Sequence, residues 1–100
     1  MKLGYARSAS DRQHIDLQIE ALKTVGCQRI FTEIGSGLNQ NRPQLTALLS
    51  QANQDDIIYV WNYDRLTRSA QQMCEINLSM LERVIELRII TRHGIDAALE

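Results

Sequence analysis

The apolar residues of this chain follow two alternating rhythms, short extended runs and longer helical stripes. Lys2 to Arg7 reads as a short strand. Ile15, Ile19 and Leu22 then recur at helical spacing. Ser10 or Asp11 stands ahead of them, and either supplies a side-chain oxygen to cap free backbone N–H groups. Gly26 follows as a stop, suited to the left-handed conformation at a helix end. Arg29 to Thr32 makes a second strand. Ile34 to Asn41 holds Gly35, Ser36, Gly37, Asn39 and Asn41, which predicts a loop. Pro43, the chain's single proline, is placed to open a helix at its first turn. Leu45, Leu48, Leu49 and Ala52 give that helix its buried face.

Ile57 to Trp61 is the strongest strand signal. Its near-continuous apolar run predicts a central strand covered on both faces. Ser69 with Gln72 resembles a capping box. Met73, Ile76, Met80, Leu81, Val84 and Leu87 then form one long apolar stripe, a core face with a subunit interface as the alternative. Arg88 to Thr91 makes a fourth strand, and the last nine residues carry no clear pattern. The order β-α-β-α-β-α-β predicts an α/β fold in three layers, with a mostly parallel central sheet and helices on both faces.

Composition narrows the class. One hundred residues, 44% hydrophobic and 23% charged, fit one soluble globular domain spanning 1–100. No apolar run reaches the ~18 residues of a membrane span, and no basic start leads into an apolar segment, so no membrane role and no secretion are expected. Cys27 and Cys74 lack metal-type spacing and read as small buried hydrophobes, which fits a reducing cytoplasm. His14 and His93 are isolated. The net charge of −1 is not that of a free-standing nucleic-acid binder. Any DNA contact must therefore come from a local positive cluster.

Such a cluster falls where an open parallel sheet builds its sites, beyond the carboxyl ends of the strands. Strand one ends in Arg7-Ser8-Ala9-Ser10, strand two runs out into Glu33 to Gly37, and strand three ends in Asn62 to Arg68. These loops present Arg7, Arg42, Arg65 and Arg68, with Ser36 and Asp64 among them. An early helical turn after strand three puts Arg65 and Arg68 on one face. Guanidinium forks match phosphate oxygens and keep their charge. A converging group neutralises a phosphodiester and stabilises its transition state without metal.

The order and spacing of several short pieces resemble the catalytic domain of the serine recombinases, the resolvase/invertase family. The pieces are Gly4-Tyr5-Ala6-Arg7, Gln13, Asp16-Leu17-Gln18, Arg29-Ile30-Phe31-Thr32, Ser36-Gly37, Arg42-Pro43, Val60-Trp61, Asp64-Arg65-Leu66 and Arg68. The resemblance covers nearly the whole chain. It implies a reaction in which a serine hydroxyl attacks a DNA phosphodiester, leaving a 5′-phosphoserine and a free 3′-hydroxyl. Rejoining follows subunit rotation in a tetramer, with no cofactor, metal or ATP. By position, Arg7, Arg42, Arg65 and Arg68 are the phosphate-binding arginines. Ser36 and Asp64 are supporting polar groups, and Gln13 and Gln18 hold the first loop and helix. The implied partners are double-stranded DNA and a homodimer, a tetramer or a full-length recombinase.

The chain departs from the family at the nucleophile, where Ala9 stands two residues after Arg7. Alanine cannot form the covalent intermediate. In an extended strand Arg7 and Ala9 share a face, and Ser8 and Ser10 lie on the other. Ser10 is a fallback nucleophile because the strand ends there, and Ser8 is a weaker one. A deliberate serine-to-alanine change and natural drift both account for Ala9. Other family positions differ as well: Ile34 and Asn62 replace lysines, Asn41 replaces an acidic residue, and Thr67 replaces a glycine. The family's long helix and helix-turn-helix domain are expected after Glu100 and are not in this sequence; a truncated relative and a fragment both account for that.

Two functional readings follow. One is a recombinase-type catalytic domain with impaired strand cleavage that keeps its DNA-phosphate site. The other is an inactive interaction or regulatory module that oligomerises or pairs with a full-length recombinase. A flavodoxin-like or receiver-like domain is disfavoured, since a receiver needs acidic strand ends and these are basic.

Overall fold

A computed structural model of the chain describes residues 1–8, 12–35, 42–67 and 69–90. Its elements are β1 (Lys2–Ser8), α1 (Arg12–Thr24), β2 (Arg29–Ile34), α2 (Pro43–Gln51), β3 (Ile57–Val60), α3 (Tyr63–Leu66), α4 (Ala70–Glu82) and β4 (Glu86–Ile89). The four strands form one parallel sheet in the order β2-β1-β3-β4. Strand order reverses direction at β1. Right-handed crossovers then place α1 on one face and the later helices on the other. The expected α/β architecture is the one observed.

Strand alternation sorts the core accordingly. Leu3, Tyr5, Phe31, Ile58 and Val60 pack with Leu45 and Leu48 of α2, Leu66 of α3, and Ile76 and Met80 of α4. Ala6 and Tyr59 face the other way, against Ile15 and Leu22 of α1. Gly4 lies on that second face. A Cβ there would stand 3.1 Å from Leu22 Cδ1 and 3.2 Å from Cys27 Sγ, so the missing side chain sets how closely α1 approaches the sheet.

The helix ends follow from specific residues. Gly26 takes a positive φ of 94° after α1. Its N–H donates to the Lys23 carbonyl and that of Cys27 to the Leu22 carbonyl, the paired bonds of a glycine-terminated helix. Pro43 opens α2 as expected. At the far end of α2, Arg83 Nη1 donates to the Leu49 carbonyl at 2.6 Å and Nη2 to that of Ala52. Ser69 Oγ accepts from the Gln72 N–H at 3.2 Å and caps α4. The return half of the box is rerouted: the Ser69 N–H donates to Thr67 Oγ1, which donates to Gln72 Oε1.

Several expectations change. Ile34 belongs to β2 rather than to the loop. The stripe from Met73 to Leu87 is not one helix face. It ends with α4 at Glu82. Leu81 is 74% exposed and Val84 54% exposed, while Leu87 lies in β4. The fourth strand begins two residues earlier than expected, at Glu86. Cys74 is exposed and Cys27 only half-buried, against the expectation that both are buried. Thr91 and the residues after it lie outside the described residues, as does any cap by Ser10 or Asp11.

Candidate functional site

On β1 and β2 the face that carries Leu3 and Phe31 turns polar toward the carboxyl ends. Tyr5 and Arg7 continue it on β1, and Glu33 on β2. Glu33 is drawn inward by helix α2, whose capping residue Arg42, just ahead of Pro43, offers no side-chain cap. The Glu33 carboxylate does so instead, accepting from the Gln44 N–H at 2.9 Å and the Leu45 N–H at 3.2 Å. A carboxylate at a helix N-terminus also meets the positive end of its dipole.

This frees the Arg42 side chain to fold back over the sheet. Its guanidinium stacks on the Tyr5 ring at 5.3 Å. Nη2 donates to the Tyr5 hydroxyl at 2.7 Å, and that hydroxyl donates to Glu33 Oε1 at 2.7 Å. Tyr5 thus stands between Arg42 and Glu33, which approach to 3.9 Å. Burial, and then the bond to Glu33, push the phenol well above its usual range, with Arg42 opposing. Tyr5 stays protonated and serves as a fixed relay of polarity.

Arg7 is 2% exposed and Arg42 3% exposed. Arg7 Nε donates to the Arg65 carbonyl at 3.0 Å and Nη1 to the Gly35 carbonyl at 2.6 Å. Arg42 Nη2 also reaches the Arg65 carbonyl, at 3.4 Å. Two buried arginines therefore fix the start of the segment after β3. The Arg65 N–H completes the hold by donating to the Asn62 carbonyl at 3.1 Å and Asn62 Oδ1 at 3.2 Å. α3 is the early helical turn expected after strand three.

Gln18 is buried and docks α1 onto the same strand end. Its Oε1 accepts from the Arg7 N–H at 3.2 Å, and its Nε2 donates to the Arg7 carbonyl at 3.0 Å. The last β1–β3 pair is Tyr5 with Val60, so the amide takes over the main chain of Arg7 just beyond it.

Arg7, Arg42, Arg65 and Gln18 are thus brought together at one sheet edge. Ala9, Ser10, Ser36 and Arg68 lie outside the described residues, as do the side chains of Gln13 and Asp64. Three residues of the cluster were not picked out as site residues from the sequence. Tyr5 read as a strand residue and Glu33 as the run-out beyond strand two; β2 in fact includes Glu33, and only the inward face shared with Arg7 marks the two. His14 read as isolated, yet its Nδ1 stands 3.5 Å from Arg65 Nη2. Among the described residues, Arg42 Nη1 and Arg65 Nε are buried with no hydrogen-bond partner. Among the described side chains, three guanidiniums converge with one carboxylate, so this set is net positive and retains donors for an anion.

A parallel sheet whose strand order reverses at β1, with a cationic cluster beyond its carboxyl edge, is the architecture of a resolvase-type α/β domain. The profile of the family described as Resolvase, N terminal domain matches residues 2–99, and the chain belongs to that family. It is 36% identical over 91 residues to the serine recombinase gin of Escherichia phage Mu, covering 91% of this chain and 47% of that protein. It is 37% identical over 89 residues to the DNA-invertase hin of Salmonella typhimurium, covering 89% and 47%. The chain spans about half the length of these curated relatives. Among solved structures, a serine recombinase from Sulfolobus solfataricus superposes with a TM-score of 0.77 at 25% identity, covering 98% of this chain and 73% of that one. The catalytic domain of an IS607-like serine recombinase gives 0.71 at 29% identity, covering 89% and 70%. No described helix is long and apolar enough to cross a membrane.

Proposed function

We propose that residues 1–100 form a serine-recombinase-type catalytic domain that holds the phosphate backbone of double-stranded DNA but does not cleave it through position 9. The observation that carries this reading is the convergence of Arg7, Arg42 and Arg65, with the unpartnered Nη1 of Arg42 and Nε of Arg65. Unsatisfied buried donors are costly, and an anionic oxygen relieves that penalty. Arg68, Ser36, Asp64 and Gln13 join this site by position in the family pattern. Ala9 offers no oxygen to attack phosphorus, and Ser10 is the fallback nucleophile. No cofactor or metal is assigned. A cytoplasmic location and assembly as a homodimer or tetramer belong to the same reading.

The second reading is an interaction module that pairs with copies of itself or with a full-length recombinase. It draws on the burial of Arg7 and Arg42, whose bonds to main-chain carbonyls also serve the fold alone.

Incubation with nicked suicide duplexes, followed by a denaturing gel, tests cleavage. The expected result is no covalent protein–DNA species. A covalent band that disappears in Ser10→Ala would assign the fallback nucleophile and overturn the non-cleaving reading. Duplex binding that weakens with rising salt supports the phosphate site. Binding that is negligible at low salt supports the interaction module.

A further inference from the structure

His14 stands outside the arginine set, and the structure places it against that set. It lies in the first turn of α1 with an exposed side chain. Its neighbour Arg65 projects from a fixed base, because the Arg65 carbonyl is held by Arg7 and Arg42 and its N–H by Asn62. The guanidinium is therefore presented to His14 by the same bonds that build the cluster.

A guanidinium only donates hydrogen bonds. The 3.5 Å contact between Arg65 Nη2 and His14 Nδ1 is favourable only while Nδ1 carries no proton. Once the ring is protonated, two N–H groups and two positive charges face each other. An oxygen anion between them removes the conflict by accepting from both. Among the described side chains, Arg65 is the charge that faces His14 from α3. Along α1, the neighbours three and four residues on are the uncharged Leu17 and Gln18, and Asp16 lies on a different face. Among the described residues, neither His14 nor Arg65 is ion-paired with a carboxylate.

We propose that His14 is a phosphate ligand of this site: protonated His14 and Arg65 together grip a non-bridging oxygen of a DNA phosphodiester. The inference rests on reading the arginine cluster as a DNA-phosphate site. By linkage, phosphate binding and protonation of His14 strengthen each other equally. Imidazole is the side chain that ordinarily changes charge between about pH 5 and pH 8, so a pH series reads this coupling.

The test is binding of a short labelled duplex at about pH 5.5 and about pH 8, for the wild type, His14→Asn, His93→Asn and Arg65→Ala. One added charge-assisted bond is worth about tenfold. The wild type and His93→Asn should bind about tenfold more tightly at the lower pH, and His14→Asn should lose most of that difference. Circular dichroism confirms that the variants fold. Retention of the full pH dependence in His14→Asn overturns the inference. If Arg65→Ala weakens binding while His14→Asn matches the wild type at both pH values, only the role of His14 fails. If Arg65→Ala binds as well as the wild type, or the wild type binds no duplex, the phosphate-site reading itself fails. In a second measurement, inorganic phosphate should raise the NMR titration midpoint of the ring signal that is missing from His14→Asn. An unchanged midpoint counts against the proposal.

Discussion

Val84 ends α4 in a conformation that suits glycine. Its φ is 58°, and the bonds around it are those of a helix closed by a left-handed residue. The Val84 N–H donates to the Leu81 carbonyl at 3.2 Å and the Ile85 N–H to the Met80 carbonyl at 2.8 Å. A residue with a Cβ pays roughly 1–2 kcal/mol in this region, and a β-branched one is a stronger outlier. The informative comparison is between Val84→Ala and Val84→Gly, because both remove the same half-exposed side chain beyond Cβ. Glycine avoids the left-handed penalty but gives the unfolded chain about 0.4–1 kcal/mol of extra entropy. Glycine should therefore exceed alanine at position 84 by about 1 kcal/mol. That corresponds to roughly 4–8 °C in Tm for a domain near this size. Inside a helix or strand the order is the reverse, with alanine ahead by about 0.5–1 kcal/mol. Urea unfolding and thermal melts followed by circular dichroism read the difference. Equal stability, or alanine ahead of glycine, would refute the reasoning.

Glu33→Gln should destabilise by about 3–5 kcal/mol, because it leaves Arg42 buried without its counter-charge; urea unfolding measures it, and a loss under about 1 kcal/mol, the size of an ordinary surface pair, would show that Glu33 matters little to Arg42. Arg83→Met should cost roughly 2 kcal/mol by leaving the Leu49 and Ala52 carbonyls at the end of α2 without their donor, read as a drop in Tm. Asp56 accepts from the Met1 ammonium at 2.9 Å and from the Asn53 N–H at 2.8 Å; these bonds hold its carboxyl below the usual carboxylate range. A depressed folded value means the stabilisation is complete above the unfolded carboxyl pKa of about 3.9 and disappears as pH falls through the folded value. The ammonium is 49% exposed, so Asp56→Asn should cost about 1 kcal/mol near neutral pH. The difference should close in acid, and one that grew toward low pH would contradict the assignment.

Elements with local punctuation were legible in the sequence. Gly26, Pro43 and Ser69 each mark a helix end by their own chemistry, and the apolar run Ile57 to Val60 marks a strand buried on both faces. The end of α4 was not legible because its left-handed position holds Val84 instead of glycine. With no stop signal, the apolar spacing ran on through Leu81 to Leu87. The site was half legible. Arginines at strand ends pointed to the edge where Arg7, Arg42 and Arg65 meet, but their burial depends on partners far away in sequence. Glu33 read as part of the run-out beyond strand two, and nothing local marks it as buried; the Gln44 and Leu45 N–H groups of α2 draw it inward. His14 and Arg65 meet only because β1, α1 and α3 converge at one sheet edge.

The two functional readings diverge most sharply at Arg65. Arg7 and Arg42 are bound to the Gly35 and Arg65 carbonyls and to Tyr5. Removing either disturbs the fold as well as any phosphate contact, so lost DNA binding in such a variant is ambiguous. The Arg65 side chain is different. It is partly exposed, its Nη2 meets His14 at an exposed contact, and its contribution to the scaffold comes through its backbone. Arg65→Ala keeps that backbone. It should change stability by no more than about 0.5 kcal/mol while weakening duplex binding about tenfold and lowering its salt dependence by about one phosphate contact. Melting curves and salt-dependent binding on the same samples check both halves. A variant that melts like the wild type and binds duplex equally well would leave the cluster as scaffold and favour the interaction module. A variant that melts far lower would show that the Arg65 side chain also supports the fold.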